Sequence, residues 1–320
     1  VSRESGLGFA EIADPYRAEL LAHCYRMTGS VHDAEDLVQE TLLRAWRGYD
    51  RFDGRSSLRT WLYRIATNAC LTALQSSQRR ALPSGLGAAD QAGTLDLERA
   101  DAVPWISPIR TAASDRADPA HIATVRESTR LALIAALQHL PARQRAVLLL
   151  VEVVGFGVPE AARFLDVSYP ATRSLLQRAR ATLKQVAPRH DDAVPPLEGE
   201  AEILARYLAA FEAADTAALA RLLRDDTTYE MPPMRRWFRG PAAIVEHHEV
   251  RVWSRPRSAI ATWANGHPAV ATYVDAGSGR LAFHGVHVLE IAEGLIDRIV
   301  VFLDPTLAEA FEVPHELAAP

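Results

Sequence analysis

Apolar positions recur at helical spacing through the first eighty residues. Ala34, Leu37, Val38, Thr41, Leu42 and Ala45 form one stripe, with acids early and Arg44 and Arg47 late, as the helix dipole favours. Gly48 and Gly54 bracket a turn. A second helix is predicted from about Ser57, a good N-cap, to Ser77, with the stripe Leu58, Trp61, Leu62, Ile65, Ala69 and Leu74. Residues 82–119 lose this period and are rich in Pro, Gly, Ala, Ser and Asp, which predicts an extended linker. Within it, Val103-Pro104-Trp105-Ile106-Ser107-Pro108 is apolar and stiff, and is expected to dock on something. Helical spacing returns over 120–187. Leu133, Leu137 and Leu140 make one stripe, and Pro141 starts a helix through Val147, Leu148 and Val151 that stops at Gly155. Pro159 suits the first turn of a short helix through Ala161, Ala162 and Leu165. Asp166-Val167-Ser168 is a tight turn, and Pro170 opens a last helix to about Val186. Two short helices about such a turn form a helix-turn-helix pattern.

A second linker, 188–197, carries Pro188, Pro195 and Pro196. Helices are predicted beyond it at about 200–213, 215–224 and 241–250, with a strand at Thr227–Met231. Four further strand-like runs follow, Ser258–Trp263, Ala269–Val274, Leu281–Ile291 and Leu295–Leu303. Asn265-Gly266, Gly277-Ser278-Gly279 and Glu293-Gly294 separate them as hairpin signals. Helices followed by hairpin-linked strands predict a curved sheet wrapped over helices.

Composition changes the picture in two ways. The 320 residues exceed one domain of ~150, so two or three domains are expected. The longest uninterrupted apolar run, Leu131–Leu137, has seven residues, whereas a membrane helix needs about 20. No export signal is visible, and Cys24 and Cys70 stand far apart with no CxxC, so neither a disulfide framework nor a cysteine metal site is expected. The cytoplasm is the expected location. Charge is more informative. Residues 1–190 hold 24 basic and 20 acidic residues (+4), and residues 191–320 hold 11 and 20 (−9). Val31–Thr41 carries four acids and no base, while Arg51–Arg80 carries six Arg against Asp53 alone. Such blocks suit different partners.

On the last helix of the helix-turn-helix, Arg173, Gln177, Arg180 and Lys184 share one face. Leu176, Ala179 and Leu183 lie on another and must pack inward. A basic helix face alone reads as solvated surface. The preceding short helix, the turn and the +6 balance of residues 126–190 (10 basic, 4 acidic) favour DNA.

Asp33-Ala34-Glu35-Asp36-Leu37-Val38-Gln39-Glu40-Thr41, with Leu43-Arg44-Ala45-Trp46, resembles the core-binding segment of the sigma-70 family of initiation factors. Ser57-Leu58-Arg59-Thr60-Trp61-Leu62-Tyr63-Arg64-Ile65-Ala66-Thr67-Asn68 resembles the promoter-melting helix that follows it. Leu140–Arg145 and Ala161–Ser168 resemble the C-terminal promoter-reading domain. With no further domain between the blocks, the resemblance is to the compact extracytoplasmic-function group. Tyr229-Glu230-Met231-Pro232-Pro233, Trp237-Phe238-Arg239-Gly240 and Val300-Val301-Phe302-Leu303-Asp304-Pro305 resemble the SnoaL-like, ketosteroid-isomerase-type cone attached to one subgroup, and Val103-Pro104-Trp105 is similar to that subgroup's linker.

The resemblance implies two all-α sigma domains, the second with a helix-turn-helix, followed by an α+β cone-shaped SnoaL-like domain. The implied boundaries are 9–81, 120–187 and 198–315, with linkers at 82–119 and 188–197. Core RNA polymerase and promoter DNA are the implied partners. Asp33, Glu35, Asp36, Gln39 and Glu40 would bind core polymerase. Arg59, Tyr63, Arg64 and Asn68 would meet the minus-ten element, with Trp61 expected in the core. Arg173, Ser174, Gln177, Arg178, Arg180 and Lys184 would meet the minus-thirty-five element. Tyr229, Trp237, His284 and Asp304 are the candidate pocket residues of the cone, where a small-molecule ligand or an intramolecular contact is expected. His284 and His287, three apart on a strand, are expected on opposite faces. No metal, cofactor or catalytic residue is assigned, and no enzymatic activity is expected. A ligand-sensing helix-turn-helix regulator, or a SnoaL-type enzyme fused to a DNA-binding region, are the alternatives.

Overall fold

The computed structural model describes residues 3–75, 78–90, 99–112, 128–186, 199–253, 257–275, 277 and 279–318. The linker expected at 188–197 lies outside the described residues, as do parts of the one expected at 82–119. The chain divides into two compact units. One is formed by residues 1–80 with 132–189, the other by 81–131 with 190–320.

The first unit is all-α. Helices α1 (Arg3–Ala13), α2 (Arg17–Thr28), α3 (Val31–Gly48) and α4 (Leu58–Ala73) form its N-terminal half. Gly29 ends α2 at φ 74°, and the Ser30 hydroxyl then accepts the Asp33 N–H at 3.2 Å to start α3. Ser57 caps α4 in the same way through Thr60 N–H, as expected. The helix ends at Ala73, short of the predicted Ser77. The buried stripes Leu20, Cys24 and Met27, Ala34, Val38 and Ala45, and Leu62, Ala66 and Cys70 meet in one core. Each fully buried leucine there contributes about 1.5–3 kcal/mol. The C-terminal half holds α5 (Leu131–Leu137), α6 (Ala142–Leu148), a π-turn at Leu149–Val153, α7 (Val158–Leu165) and α8 (Tyr169–Val186). Asp166 turns the chain between α7 and α8 at φ 51°, where the tight turn was expected.

The second unit contains a seven-stranded sheet: β1 (Leu223–Glu230), β2 (Trp237–Arg239), β3 (Arg257–Ala264), β4 (His267–Asp275), β5 (Arg280–Ala292), β6 (Leu295–Phe302) and β7 (Glu316–Ala318). The order is β2-β1-β6-β5-β4-β3, with β7 added beside β5. Only β1 and β6 pair in parallel among these strands. Asn265-Gly266 and Glu293-Gly294 adopt positive φ and make the predicted hairpins. Helix α9 (Glu200–Ala213) packs on β3 and β4, α11 (Pro241–His247) packs on β1, and α12 is Leu307–Ala310.

Three expectations change here. The helix predicted over 215–224 is the short α10 (Thr216–Ala220), capped by Asp215, and β1 begins at Leu223 rather than Thr227. The exposed Asp225 and Asp226 hide the strand's alternation. Strand β2 was not predicted; it is three residues long, too short for a period to register. The helix expected over 241–250 ends at His247 and continues as a π-turn, His248–Val252.

Residues 81–112, where described, are hydrogen-bonded to this sheet. Asp90 N–H donates to Trp237 O at 2.8 Å, Ala100 N–H to Pro233 O at 3.0 Å and Thr111 N–H to Trp263 O at 2.9 Å. The Ile109 and Asn265 backbones and the Asn265 side chain lock together as well. Ile106 is 1% exposed, so the apolar linker patch is docked.

Candidate polymerase and nucleic-acid interfaces

Helix α3 carries the acidic candidates. Glu35, Asp36 and Gln39 are exposed. Asp33 accepts from Arg80 Nη2 at 2.6 Å, and Glu40 accepts from Arg44 Nε at 2.5 Å one turn on. Leu43 and Trp46 are also exposed, at 45% and 50%. Asp36, Gln39, Leu43 and Trp46 stand at i, i+3, i+7 and i+10, which places them on one face opposite the buried stripe. Leu43 and Trp46 were not among the predicted site residues. The available signal was two large apolar residues on the wrong side of an amphipathic helix.

On α4, the four minus-ten candidates divide into two pairs. Arg64 and Asn68 are exposed. Arg59 and Tyr63 are engaged within the unit. Arg59 Nε donates to Glu19 Oε2 at 2.9 Å, and the Tyr63 hydroxyl donates to the same oxygen at 3.1 Å. Tyr63 is 2% exposed and meets the Phe156 ring edge-on at 5.4 Å. The Arg59 guanidinium lies 5.3 Å from the centre of that ring. Burial, then the charge of Glu19, push the Tyr63 hydroxyl far up. Trp61 stacks on Phe52 at 4.9 Å, as a packing residue does.

Phe156 belongs to the C-terminal half, so its contact joins the two sigma-like halves. Arg145 joins them again. Its guanidinium, 4% exposed as a residue, donates to Met27 O, to Gln138 Oε1 at 2.8 Å and to Leu140 O at 3.1 Å. Burial pulls its pKa down to about 10. Gly29 fits beneath this contact because a Cβ there would meet the Gln138 amide at 3.0 Å.

Helices α7 and α8 form the helix-turn-helix. The Glu160 carboxylate accepts Gly157 N–H at 3.0 Å to start α7. Thr172, Leu176 and Ala179 of α8 face inward. Arg173, Ser174, Gln177, Arg178, Arg180 and Lys184 are all exposed, which presents the predicted face together. Arg180 pairs with Glu152 at 2.6 Å. Tyr169, 48% exposed in the first turn of α8, joins this surface and was not among the predicted residues.

The second unit holds a cavity of about 360 Å³, open at one side, between α9, α11 and the strands. Tyr229 and His284 line it, as expected of pocket residues; Trp237 and Asp304 are not among its lining residues. Trp237 pairs with Glu230 on the neighbouring strand, one residue out of phase with Tyr229, so the pleat turns it to the other face. There its indole donates to Gly87 O at 3.1 Å. Asp304 instead accepts from the Thr306 N–H and hydroxyl in a turn. His284 and His287 both line the cavity, against the parity expectation. Thr272 pairs with Gly285 and Tyr273 with Phe283, so His284 is the extra residue of a β-bulge that resets the alternation. Gly285 is required beside it, because a Cβ would stand 2.4 Å from Phe302 O. His287 Nδ1 shares a hydrogen bond of 2.9 Å with the Tyr207 hydroxyl. Among the described residues, no group of three or more His, Cys, Asp or Glu could hold a metal ion. No helix among them is long and apolar enough to cross a membrane.

An acidic helix face, a helix presenting Arg64 and Asn68 and an exposed helix-turn-helix, followed by an α+β domain with a cavity, define a sigma-type transcription factor with a SnoaL-like domain. Family profiles agree: Sigma-70 region 2 matches residues 12–80, Sigma-70, region 4 matches 130–183, and SnoaL-like domain matches 204–299. The chain belongs to the ECF RNA polymerase sigma factors. It is 50% identical over 316 residues to the ECF RNA polymerase sigma factor SigG of Mycobacterium tuberculosis, covering 97% of this chain and 85% of that one. It is 32% identical over 216 residues to SigJ of the same organism, covering 67% of this chain and 61% of that one. The crystal structure of SigJ shares the fold, with a TM-score of 0.62 at 21% identity over 95% of this chain and 99% of that one. Sigma factors are transcription factors and not enzymes, although the SnoaL-like fold also serves some enzymes.

Proposed function

We propose that this chain is a cytoplasmic promoter-specificity subunit. It binds core RNA polymerase through α3, reads the minus-ten element with α4 and reads the minus-thirty-five element with α8. Residues 9–81 act as the first sigma domain, 120–187 as the second and 198–315 as a regulatory SnoaL-like domain without turnover, joined by 82–119 and 188–197. The exposed stripe Asp36, Gln39, Leu43 and Trp46 carries the reading. A folded domain has no internal use for two bare apolar side chains among acids, whereas a partner that is basic at one end and apolar at the other does. Asp33, Glu35 and Glu40 extend the acidic part of that contact. Arg64 and Asn68 are accessible to DNA as they stand. Arg59 and Tyr63 become so once Phe156 moves away and Glu19 releases them. On α8, Arg173 and Gln177 are suited to base edges, Ser174 and Arg178 flank them, and Arg180 and Lys184 suit phosphates.

Tyr63, a minus-ten candidate, is 2% exposed in this arrangement, so the closed unit is a resting state that polymerase must open. Run-off transcription on genomic fragments, using core polymerase with and without the chain, tests the reading. Promoter-specific transcripts are expected only with it. An operator footprint formed without polymerase would favour the ligand-sensing regulator instead.

A further inference from the structure

The cavity of the second unit has a wall chemistry that selects a ligand class. Phe211, Met231, Met234, Val301 and Leu303 supply an apolar lining, and methionine adapts readily to an irregular shape. Tyr229 lines the same space at 1% exposure, yet its hydroxyl finds no hydrogen-bond partner among the described residues. His247 lines it at 8% exposure and makes ring contacts with Tyr229 and Phe238, again without a hydrogen bond among the described residues. Both polar groups face the open space of the cavity, where an occupant can hydrogen-bond to them. Burial lowers the His247 pKa to about 3 and holds His287 well below its usual range, so both rings are neutral hydrogen-bonding groups near pH 7. Arg251 is the one Arg, Lys, Asp or Glu among the described lining residues. Beside it Val250 lines the cavity and is 46% exposed, so the space reaches solvent at the π-turn. A wall with a guanidinium, a free phenol and no carboxylate opposes a cationic ligand and suits an anionic one.

We propose that this cavity binds an apolar organic anion, with a hydrocarbon or aromatic body against the methionines and an acidic head group held by Arg251 and the Tyr229 hydroxyl. The proposal rests on reading the cone as a regulatory rather than a catalytic domain. Its test is binding, so it can fail while promoter-specific run-off transcription persists.

The probes are 1-anilinonaphthalene-8-sulfonate and its uncharged parent N-phenyl-1-naphthylamine, titrated into the full-length protein by fluorescence. Saturable binding of the sulfonate at one site is expected, displaced at lower concentration by decanoate than by decanol. Arg251→Gln and Tyr229→Phe should each weaken the sulfonate about tenfold or more and leave the neutral probe within about twofold. Met231→Trp, which fills the cavity, should abolish the saturable signal; Val301→Phe does the same should Met231→Trp fail to fold by circular dichroism. No saturable site in the native protein overturns the proposal. So does a signal that survives filling of the cavity. Equal effects of Arg251→Gln on both probes overturn the anion assignment.

Discussion

Replacing Phe156 by alanine should open the first unit. The ring meets Tyr63 edge-on at 5.4 Å and lies under the Arg59 guanidinium at 5.3 Å. An aromatic pair contributes about 0.5–1.5 kcal/mol beyond its buried area, and a partly exposed cation–π contact about 0.5–1. Their loss removes about 2 kcal/mol from the closed arrangement. That raises the ratio of open to closed molecules about thirtyfold. Distances between dyes at Arg51→Cys and Gln185→Cys, both at exposed positions, report the separation of the halves by single-molecule energy transfer. The two native cysteines are buried and should not compete for dye. The unaltered chain should give one short distance, and Phe156→Ala should add a long-distance population. Phe156 also leans on Phe164 inside the helix-turn-helix at 5.0 Å, so the alanine softens that domain too. Glu19→Ala provides the control. It removes the acceptor shared by Arg59 and Tyr63 without touching the C-terminal half, and should shift the distribution the same way by a smaller amount. If both variants fold and both keep the native distance distribution, these contacts do not hold the unit closed.

Three other outcomes follow from named residues. Asp36→Arg or Trp46→Ser should each abolish co-purification with core polymerase while leaving helical content unchanged, since exposed substitutions cost within about 0.5 kcal/mol; retained co-purification would remove α3 from the contact. Arg173→Ala should weaken one position of the minus-thirty-five element by about 1–3 kcal/mol in a promoter-library assay, whereas Lys184→Ala should weaken all promoters alike and flatten the salt dependence. Burial, then the charge of Arg26, lowers the His23 pKa from 6.5 to about 3, so the unfolded chain binds a proton there that the folded one refuses. Its contribution is present above pH 6.5 and is lost as pH falls toward 3, about 2 kcal/mol by pH 5. Urea midpoints at pH 7 and 5 should show this loss, and His23→Gln should reduce it; equal slopes in both proteins would contradict a neutral buried ring.

The helical half was legible because its amphipathic stripes and its caps coincide. Ser57 begins its helix as expected, and the buried faces of α3 and α4 run where the apolar spacing put them. The Asn265-Gly266 and Glu293-Gly294 hairpins were legible because glycine readily takes the positive φ that each turn uses. Other features depend on contacts distant in sequence. Tyr63 packs against Glu19 and His23 of its own half, and Phe156, ninety-three positions later, adds a cover that no local pattern announces. His284 shares a cavity with His287 because of one bulged residue, and a bulge has no signature in a two-residue period. Trp237 was assigned to the pocket for its place in a motif. Its strand is too short for that face to be read from alternation.

The docked segment 81–112 changes what a truncation means. Residues 81–131 belong to the second unit although they lie between the two halves of the first. Ending the chain at residue 190 therefore removes the hydrogen-bond partners of Asp90, Ala100 and Thr111 and leaves the connection between the sigma halves without its sheet. Fixing the backbone of a residue costs about 1–2 kcal/mol of entropy, and releasing it returns that freedom. Removal of the SnoaL-like domain is therefore expected to lengthen the free tether between the sigma halves. While the segment is docked, the contour between the two DNA-reading halves is shortened and their effective concentration for one another is high. Once it is released, that concentration falls and the tolerated spacing between promoter elements widens. Spacer-length preference, rather than overall transcript yield, is where the influence of this domain should be most visible.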